Sequence, residues 1–65
     1  MKNNELAVLL EKPMMDIRKL ETLLTTWLDA EEDTETANMI SIALDYADSV
    51  QIQLADVLSG ENNHG

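Results

Sequence analysis

Residues 36–58 read TANMISIALDYADSVQIQLADVL, and this stretch decides the fold. Its apolar residues recur at steps of three and four, which is the period of an amphipathic α-helix. The Asn, Asp and Gln residues fall mostly between them, on the sides of the helix that remain in water. The stretch therefore predicts one long helix whose apolar stripe must pack against a second surface. That stripe contains Ile40, Ala43, Ala47, Val50, Leu54 and Val57, and is widened by Met39, Tyr46 and Leu58.

The residues before this stretch predict two shorter helices. Pro13 has no N–H to donate to a helix, but it suits a first helical turn. We therefore expect residues 1–12 to form a short helix that breaks or kinks at Pro13, where a second helix begins. The second helix has its own apolar stripe at helical spacing, made of Ile17, Leu20, Leu24 and Trp27.

The boundaries of the long helix are marked by polar residues and a glycine. Asp33 or Thr34 can cap its first turn by accepting a hydrogen bond from a free backbone N–H. Gly60 suits the left-handed conformation that often follows a helix, so we expect the helix to end near Ser59. Residues 61–65 contain no apolar anchor and are expected to form a disordered tail.

These elements predict one all-α domain over residues 1–60. It consists of a short N-terminal helix followed by an antiparallel hairpin of Pro13–Ala30 and Thr34–Ser59. The chain has 65 residues and no cysteine, so no disulfide can reinforce a core of this size. We therefore expect a homodimer in which two hairpins form a helical bundle.

The charge of the chain is strongly asymmetric. Thirteen acidic and four basic residues give a formal net charge of −9. From Leu20 onward there are ten acidic residues and no Lys or Arg. Such a surface repels phosphate backbones and anionic membranes, so direct nucleic-acid binding is not expected. The apolar run at residues 6–10 is too short for a signal peptide or a membrane span, and we expect a cytoplasmic protein.

The sequence contains no pattern typical of an active site or a metal site. His64 is the single histidine and lies in the expected tail. The acidic turn resembles a calcium loop only in part, because Thr34 and Ile40 occupy the positions that need glycine and a bidentate glutamate. We expect no enzymatic activity, no cofactor and no metal.

Two sets of residues are candidates for binding. The first set is apolar, and its members end a helix stripe or lie beside one, where a second subunit or another protein could cover them. The second set is acidic and is densest in the turn between the hairpin helices. The apolar candidates are Leu6, Leu9, Leu10, Trp27, Leu44 and Ile52, and the acidic ones are Asp29, Glu31, Glu32, Asp33, Glu35, Asp45, Asp48 and Asp56.

The second half of the chain resembles a known family of small helical proteins. The residues Asp45-Tyr46-Ala47-Asp48, followed by an apolar stripe, a glycine and an acidic tail, are similar to the Rop family of plasmid copy-number regulators. The resemblance implies an antiparallel hairpin that dimerises into a four-helix bundle and binds paired RNA loops through its first helices. Arg18 and Lys19 are the residues that could take that part here.

Three functions are therefore expected from the sequence, in order of preference. The first is a small acidic regulator or adaptor that binds proteins through its helix faces, with a basic partner surface suggested by the charge. The second is an inhibitor whose carboxylates imitate a nucleic-acid backbone and block a DNA- or RNA-binding protein. The third is direct RNA binding of the Rop type.

Overall fold

A computed structural model describes residues 3–64 of the backbone and the side chains of residues 5–60, and it contains two helices. Helix α1 spans Asn3–Ala30 and has 28 residues. Helix α2 spans Thr34–His64 and has 31 residues. The helices pack against each other as a hairpin whose Cα atoms span 48 × 16 × 12 Å. The predicted all-α helical hairpin is confirmed.

The separate N-terminal helix predicted for residues 1–12 is wrong, because α1 runs through Pro13 without ending. A proline in this position leaves the carbonyl of Leu9 without its helical N–H partner. Pro13 and Leu9 are both exposed, so water can bond to that carbonyl. On the packed side of α1, Leu10 before the proline is half-buried and Met14 after it is buried, so the packed side of the helix continues past Pro13. Packing therefore outweighs the local preference of proline.

The predicted end of the long helix near Ser59 is also wrong. Helix α2 continues through Gly60 to His64, and no glycine in the described part of the chain has a positive φ. Glycine permits a left-handed cap but does not require one, and here it keeps helical geometry. The side chains of residues 61–64 and all of Gly65 lie outside the described residues. The disordered tail therefore stays a prediction.

Asp33 caps α2, as the sequence predicts. Its Oδ2 atom accepts a hydrogen bond from the backbone N–H of Thr36 at 2.9 Å and another from the Thr36 hydroxyl at 2.8 Å. The backbone carbonyl of Asp33 accepts the N–H of Ala37 at 2.8 Å, which closes the first helical turn. The three residues before Thr34 complete a tight connection, in which the Glu31 N–H donates to the Leu28 carbonyl at 3.3 Å.

The two helices meet along a single line of residues, which we call the seam. Its members recur at alternating steps of three and four on each helix, and the best-buried of them are Leu24, Ile40 and Ala47. This spacing is the heptad pattern of helices that pack side by side. The seam contains Leu10, Met14, Ile17, Glu21, Leu24 and Leu28 of α1 and Ala37, Ile40, Leu44, Ala47, Gln51, Leu54 and Leu58 of α2.

The apolar stripe predicted for α2 is correct at Ile40, Ala43, Ala47 and Leu54 but is rotated away from the seam at its other two positions. Val50 and Val57 were expected in the core and are 44% and 49% exposed. Leu44 was expected off the stripe, yet it packs against the core. Gln51 was also placed off the stripe, and it is half-buried in the seam. The physical reason is that α2 has more apolar surface than one neighbouring helix can cover.

Candidate interaction surfaces

One polar pair interrupts the seam. Glu21 of α1 and Gln51 of α2 are both half-buried and face each other across the helices. In the amide orientation that satisfies both groups, the Gln51 side-chain nitrogen donates to Glu21 Oε2 at 3.0 Å and also to Oε1. This contact fixes which levels of the antiparallel helices lie side by side. Lys19, two residues before Glu21, is therefore level with Gln53.

A second apolar stripe lies next to the seam on each helix. It consists of the residue that immediately precedes each seam residue, so it is rotated by about 100° around the helix. Ten of these thirteen residues are apolar, and the exceptions are Asp16, Thr36 and Gln53. We call this surface the apolar face; it comprises Leu9, Pro13, Asp16, Leu20, Leu23 and Trp27 of α1 and Thr36, Met39, Ala43, Tyr46, Val50, Gln53 and Val57 of α2.

Both stripes lie on the same side of the hairpin. On each helix the stripe is reached by turning in the same rotational sense from the seam. Because the helices run in opposite directions, equal rotations carry the two stripes to one common side. The large side chains on this side are exposed, including Leu23 at 62%, Met39 at 70% and Tyr46 at 72%. Asp16 and Gln53 interrupt the face near its middle, but a soluble monomer rarely exposes this many large apolar side chains on one side.

The opposite side of the hairpin has a different composition. It consists of the residues that immediately follow each seam residue, and we call it the polar face. Only Met15, Ile52 and Ala55 are apolar there. An open groove on this side is lined by Arg18, Glu21, Thr22, Thr25, Thr26 and Gln51. The polar face comprises Glu11, Met15, Arg18, Thr22, Thr25 and Asp29 of α1 and Asn38, Ser41, Asp45, Asp48, Ile52, Ala55 and Ser59 of α2.

The structure divides the predicted apolar candidates among three locations. Leu9 and Trp27 lie on the apolar face, 61% and 48% exposed. Leu10 and Leu44 are half-buried in the seam, and Leu6 is half-buried one turn before Leu10. Ile52 is 53% exposed on the polar face. The six residues therefore do not form one surface.

Sequence reasoning missed most of the apolar face as a binding surface. Leu20, Met39, Tyr46, Val50 and Val57 were assigned to core stripes instead. The signal that could have found them is the width of the apolar pattern, which fills two adjacent heptad stripes on each helix. A two-helix hairpin has room for only one such stripe per helix.

The acidic candidates also separate into groups. Asp29, Glu32, Asp33 and Glu35 are exposed around the turn, and Glu31 is half-buried there. Asp33 serves as the helix cap, and the N–H and hydroxyl of Thr36 hold the pKa of its carboxyl below the ordinary value.

The other acidic candidates lie on α2. Asp45 and Asp48 are exposed on the polar face, and Asp56 is exposed at the outer edge of the apolar face. None of these three carboxylates has an ion-pair partner among the described side chains. The ion pair found there joins Lys12 Nζ to Asp16 Oδ2 at 2.7 Å, on α1. Negative charge on α2 is therefore left for solvent or for another molecule.

Two further findings bear on the kind of site. Within residues 3–64, neither helix has a stretch that is both long and apolar enough to cross a membrane. Among the described residues, no three His, Cys, Asp or Glu side chains are grouped closely enough to hold a metal ion.

Comparisons of the chain with protein-family models, curated proteins and solved structures found no match.

Proposed function

We propose that this chain is a small acidic, non-enzymatic regulator or adaptor that binds other proteins through its helix faces and works as a homodimer in the cytoplasm. The observation that carries the proposal is the exposed apolar face. It exposes large side chains along both helices, including Leu20, Trp27 and Tyr46. Burying such side chains against another protein surface is favourable by about 25 cal/mol per Å² of apolar area.

The two sides of the hairpin suggest different tasks. The apolar face suits an association that stays formed, because its exposed aliphatic and aromatic side chains are the composition of an interface core. The carboxylates of Asp45 and Asp48 suit a partner with a basic surface, because they are exposed and without ion pairs among the described residues. Opposite charges on two partners accelerate their encounter and favour the correct pairing.

The second candidate function is an inhibitor that imitates nucleic acid. What favours it is the same excess of exposed carboxylates on a helix that carries no basic residue. An adaptor and such an inhibitor both bind a basic target, but only the inhibitor must occupy the nucleic-acid site of that target. Displacement by duplex DNA or RNA therefore separates the two functions.

Direct RNA binding of the Rop type has the least support. Arg18 and Lys19 are adjacent in sequence, so they point about 100° apart around α1. Arg18 borders the groove on the polar face, whereas Lys19 lies at the outer edge of the apolar face. Lys12 is paired with Asp16. These cations do not combine into one basic surface that would balance the net charge of −9.

The proposal is tested by capturing host proteins on immobilised wild-type chain and eluting them with rising salt. The variant Asp45→Asn/Asp48→Asn removes two charges from the polar face of α2. Its matched control, Glu5→Gln/Glu32→Gln, removes two charges elsewhere. An adaptor should retain a defined protein that the first variant loses and the control keeps. Equal loss by both variants would mean unspecific charge attraction, and displacement of the captured protein by duplex DNA would favour the inhibitor.

A further inference from the structure

We propose that a second copy of this chain covers the apolar face, with α1 of each copy lying on α2 of the other. Both turns then lie at the same end of a four-helix bundle. This inference rests on the proposed homodimer and specifies its geometry. It follows from the direction of the apolar surface, from the size of the face and from the charges along its edges.

The apolar side chains of both helices point toward one side of the hairpin. On α2 the seam and the apolar face lie about 100° apart. The strongest sequence stripe, from Ile40 through Ala47 to Val57, runs midway between them. On α1 the stripe from Ile17 to Trp27 is likewise midway. Both helices therefore direct their apolar surface toward a point above the hairpin, which is where the centre of a four-helix bundle lies.

The apolar face of one copy matches the apolar face of a second copy in shape. A second hairpin presents two antiparallel apolar stripes of the same spacing, so the same face serves both copies and the contact closes with twofold symmetry. The hairpin is 48 Å long and 16 Å wide. The named residues of the apolar face cover about 27 Å of that length on α1. An interface of the roughly 800 Å² per partner that a stable dimer buries must therefore include the ends of the helices as well.

A single hairpin has too small a core to be stable without a partner. In the described part of the chain only Met14, Leu24, Ile40 and Ala47 are buried. A core this small leaves little free energy to offset the conformational entropy lost on folding. A partner present whenever the chain is made would supply the missing core, and a second copy of the chain meets that condition.

Two copies can stack their apolar faces in two ways, with α1 on α2 or with each helix on its own equivalent. The charges along the edges of the face favour the first. The α1 edge carries Lys12 and Lys19, each two residues after one seam residue and two residues before the next, with Glu5 near the N-terminal end. Lys12 is already paired with Asp16, so Lys19 is the cation that can meet a partner. The corresponding edge of α2 carries Asp56, with Glu35 near the turn. If α1 lies on α2 of the second copy, the basic edge meets the acidic edge. If each helix lies on its own equivalent, like edges meet, which disfavours that arrangement.

The alignment of the antiparallel helices brings Lys19 of one copy near Asp56 of the other. The contact of Glu21 with Gln51 makes Lys19 level with Gln53. In a bundle with both turns at one end, that level is kept between the copies. Lys19 of one copy then lies within one helical turn of Asp56 in the other. Within a single hairpin these two residues are on opposite outer edges.

The oligomeric state is the first test. Sedimentation velocity over micromolar concentrations should show a dimer for the wild type and for Met15→Gln/Ile52→Gln on the polar face. The matched variant Leu20→Gln/Val50→Gln on the apolar face should dissociate at a concentration at least tenfold higher. A well-folded wild-type monomer that persists at all concentrations would overturn the homodimer itself. Equal behaviour of the two variants would overturn the choice of face.

The second test is cross-linking, and it reports on the arrangement. The chain has no cysteine, so Lys19→Cys and Asp56→Cys each introduce one. A short bismaleimide should link the two variants after they are refolded together, and should link neither variant to itself. If each α1 instead lies antiparallel on the α1 of the other copy, the turns lie at opposite ends. Lys19 is near the middle of α1, so in that arrangement Lys19→Cys alone would be linked to itself. That result would refute the stacking while the homodimer remained.

Discussion

Ala47→Leu is the sharpest test of the packing of the hairpin. Ala47 is 3% exposed and packs in one cluster with Leu24 and Ile40. Leucine would insert three more heavy atoms into this cluster. Overpacking of this kind costs about 1–3 kcal/mol. For a chain of this length each kcal/mol lowers the melting temperature by about 4–8 °C, so a decrease on the order of 5–20 °C is expected.

The control is Ala55→Leu, the same substitution on the same helix at an exposed position of the polar face. Its expected effect is small, because leucine and alanine both favour helices. Gln51→Leu is a poor control, since it removes the partner of Glu21 inside the seam. Thermal melts by circular dichroism at one fixed protein concentration decide the matter. If Ala47→Leu melts no lower than Ala55→Leu, the seam is assigned to the wrong side of α2.

Three further substitutions test the helix boundaries. Gly60→Ala should raise the free energy of unfolding by about 0.5–1 kcal/mol, because an added Cβ meets nothing within 4 Å and the helix gains a better former; urea unfolding that shows a decrease would contradict a helical Gly60. Pro13→Ala should stabilise the chain by up to about 3 kcal/mol by giving the Leu9 carbonyl its N–H partner, and an unchanged urea midpoint would indicate that α1 is broken there. The lowered pKa of Asp33 means that its carboxylate stabilises the fold above its unfolded pKa of about 3.9 and that this contribution is lost as the pH falls through the folded value. Asp33→Asn keeps a capping oxygen without the titration, so thermal melts between pH 7 and pH 2 should show a smaller acid loss than in the wild type, and an equal loss would refute the role of this carboxylate.

The period of the apolar residues predicts some features of this fold and leaves others open. Alternating steps of three and four were enough to predict a helical hairpin, and the position of Asp33 before an apolar run was enough to predict its cap. Periodicity reports the mean direction of all apolar residues on a helix. On α2 that mean lies between two stripes, so Val50 was assigned to the core, and Gln51 to the solvent side. The sequence could not show which stripe faces the other helix of the same chain.

Local signals failed where packing along the whole helix competed with them. Pro13 and Gly60 are reliable marks of helix ends only when nothing else extends the helix past them. Leu10 and Met14 are half-buried and buried on either side of the proline. The candidate binding surface was also hard to predict from the sequence. Whether an apolar side chain on a helix is exposed depends on which of its sides the other helix of the chain covers.

The polar pair in the seam has a consequence for how the two helices find their correct alignment. A seam of aliphatic residues repeated every seven positions permits one helix to slip along the other by a heptad at little cost. Such a slip would place the Glu21 carboxylate against Leu44 or Leu58 and leave it without a donor. A half-buried carboxylate without its hydrogen bond is costly, so the misaligned hairpins are penalised while the native one is not. The glutamate therefore acts together with the tight connection at residues 31–33 to keep the two helices in one alignment.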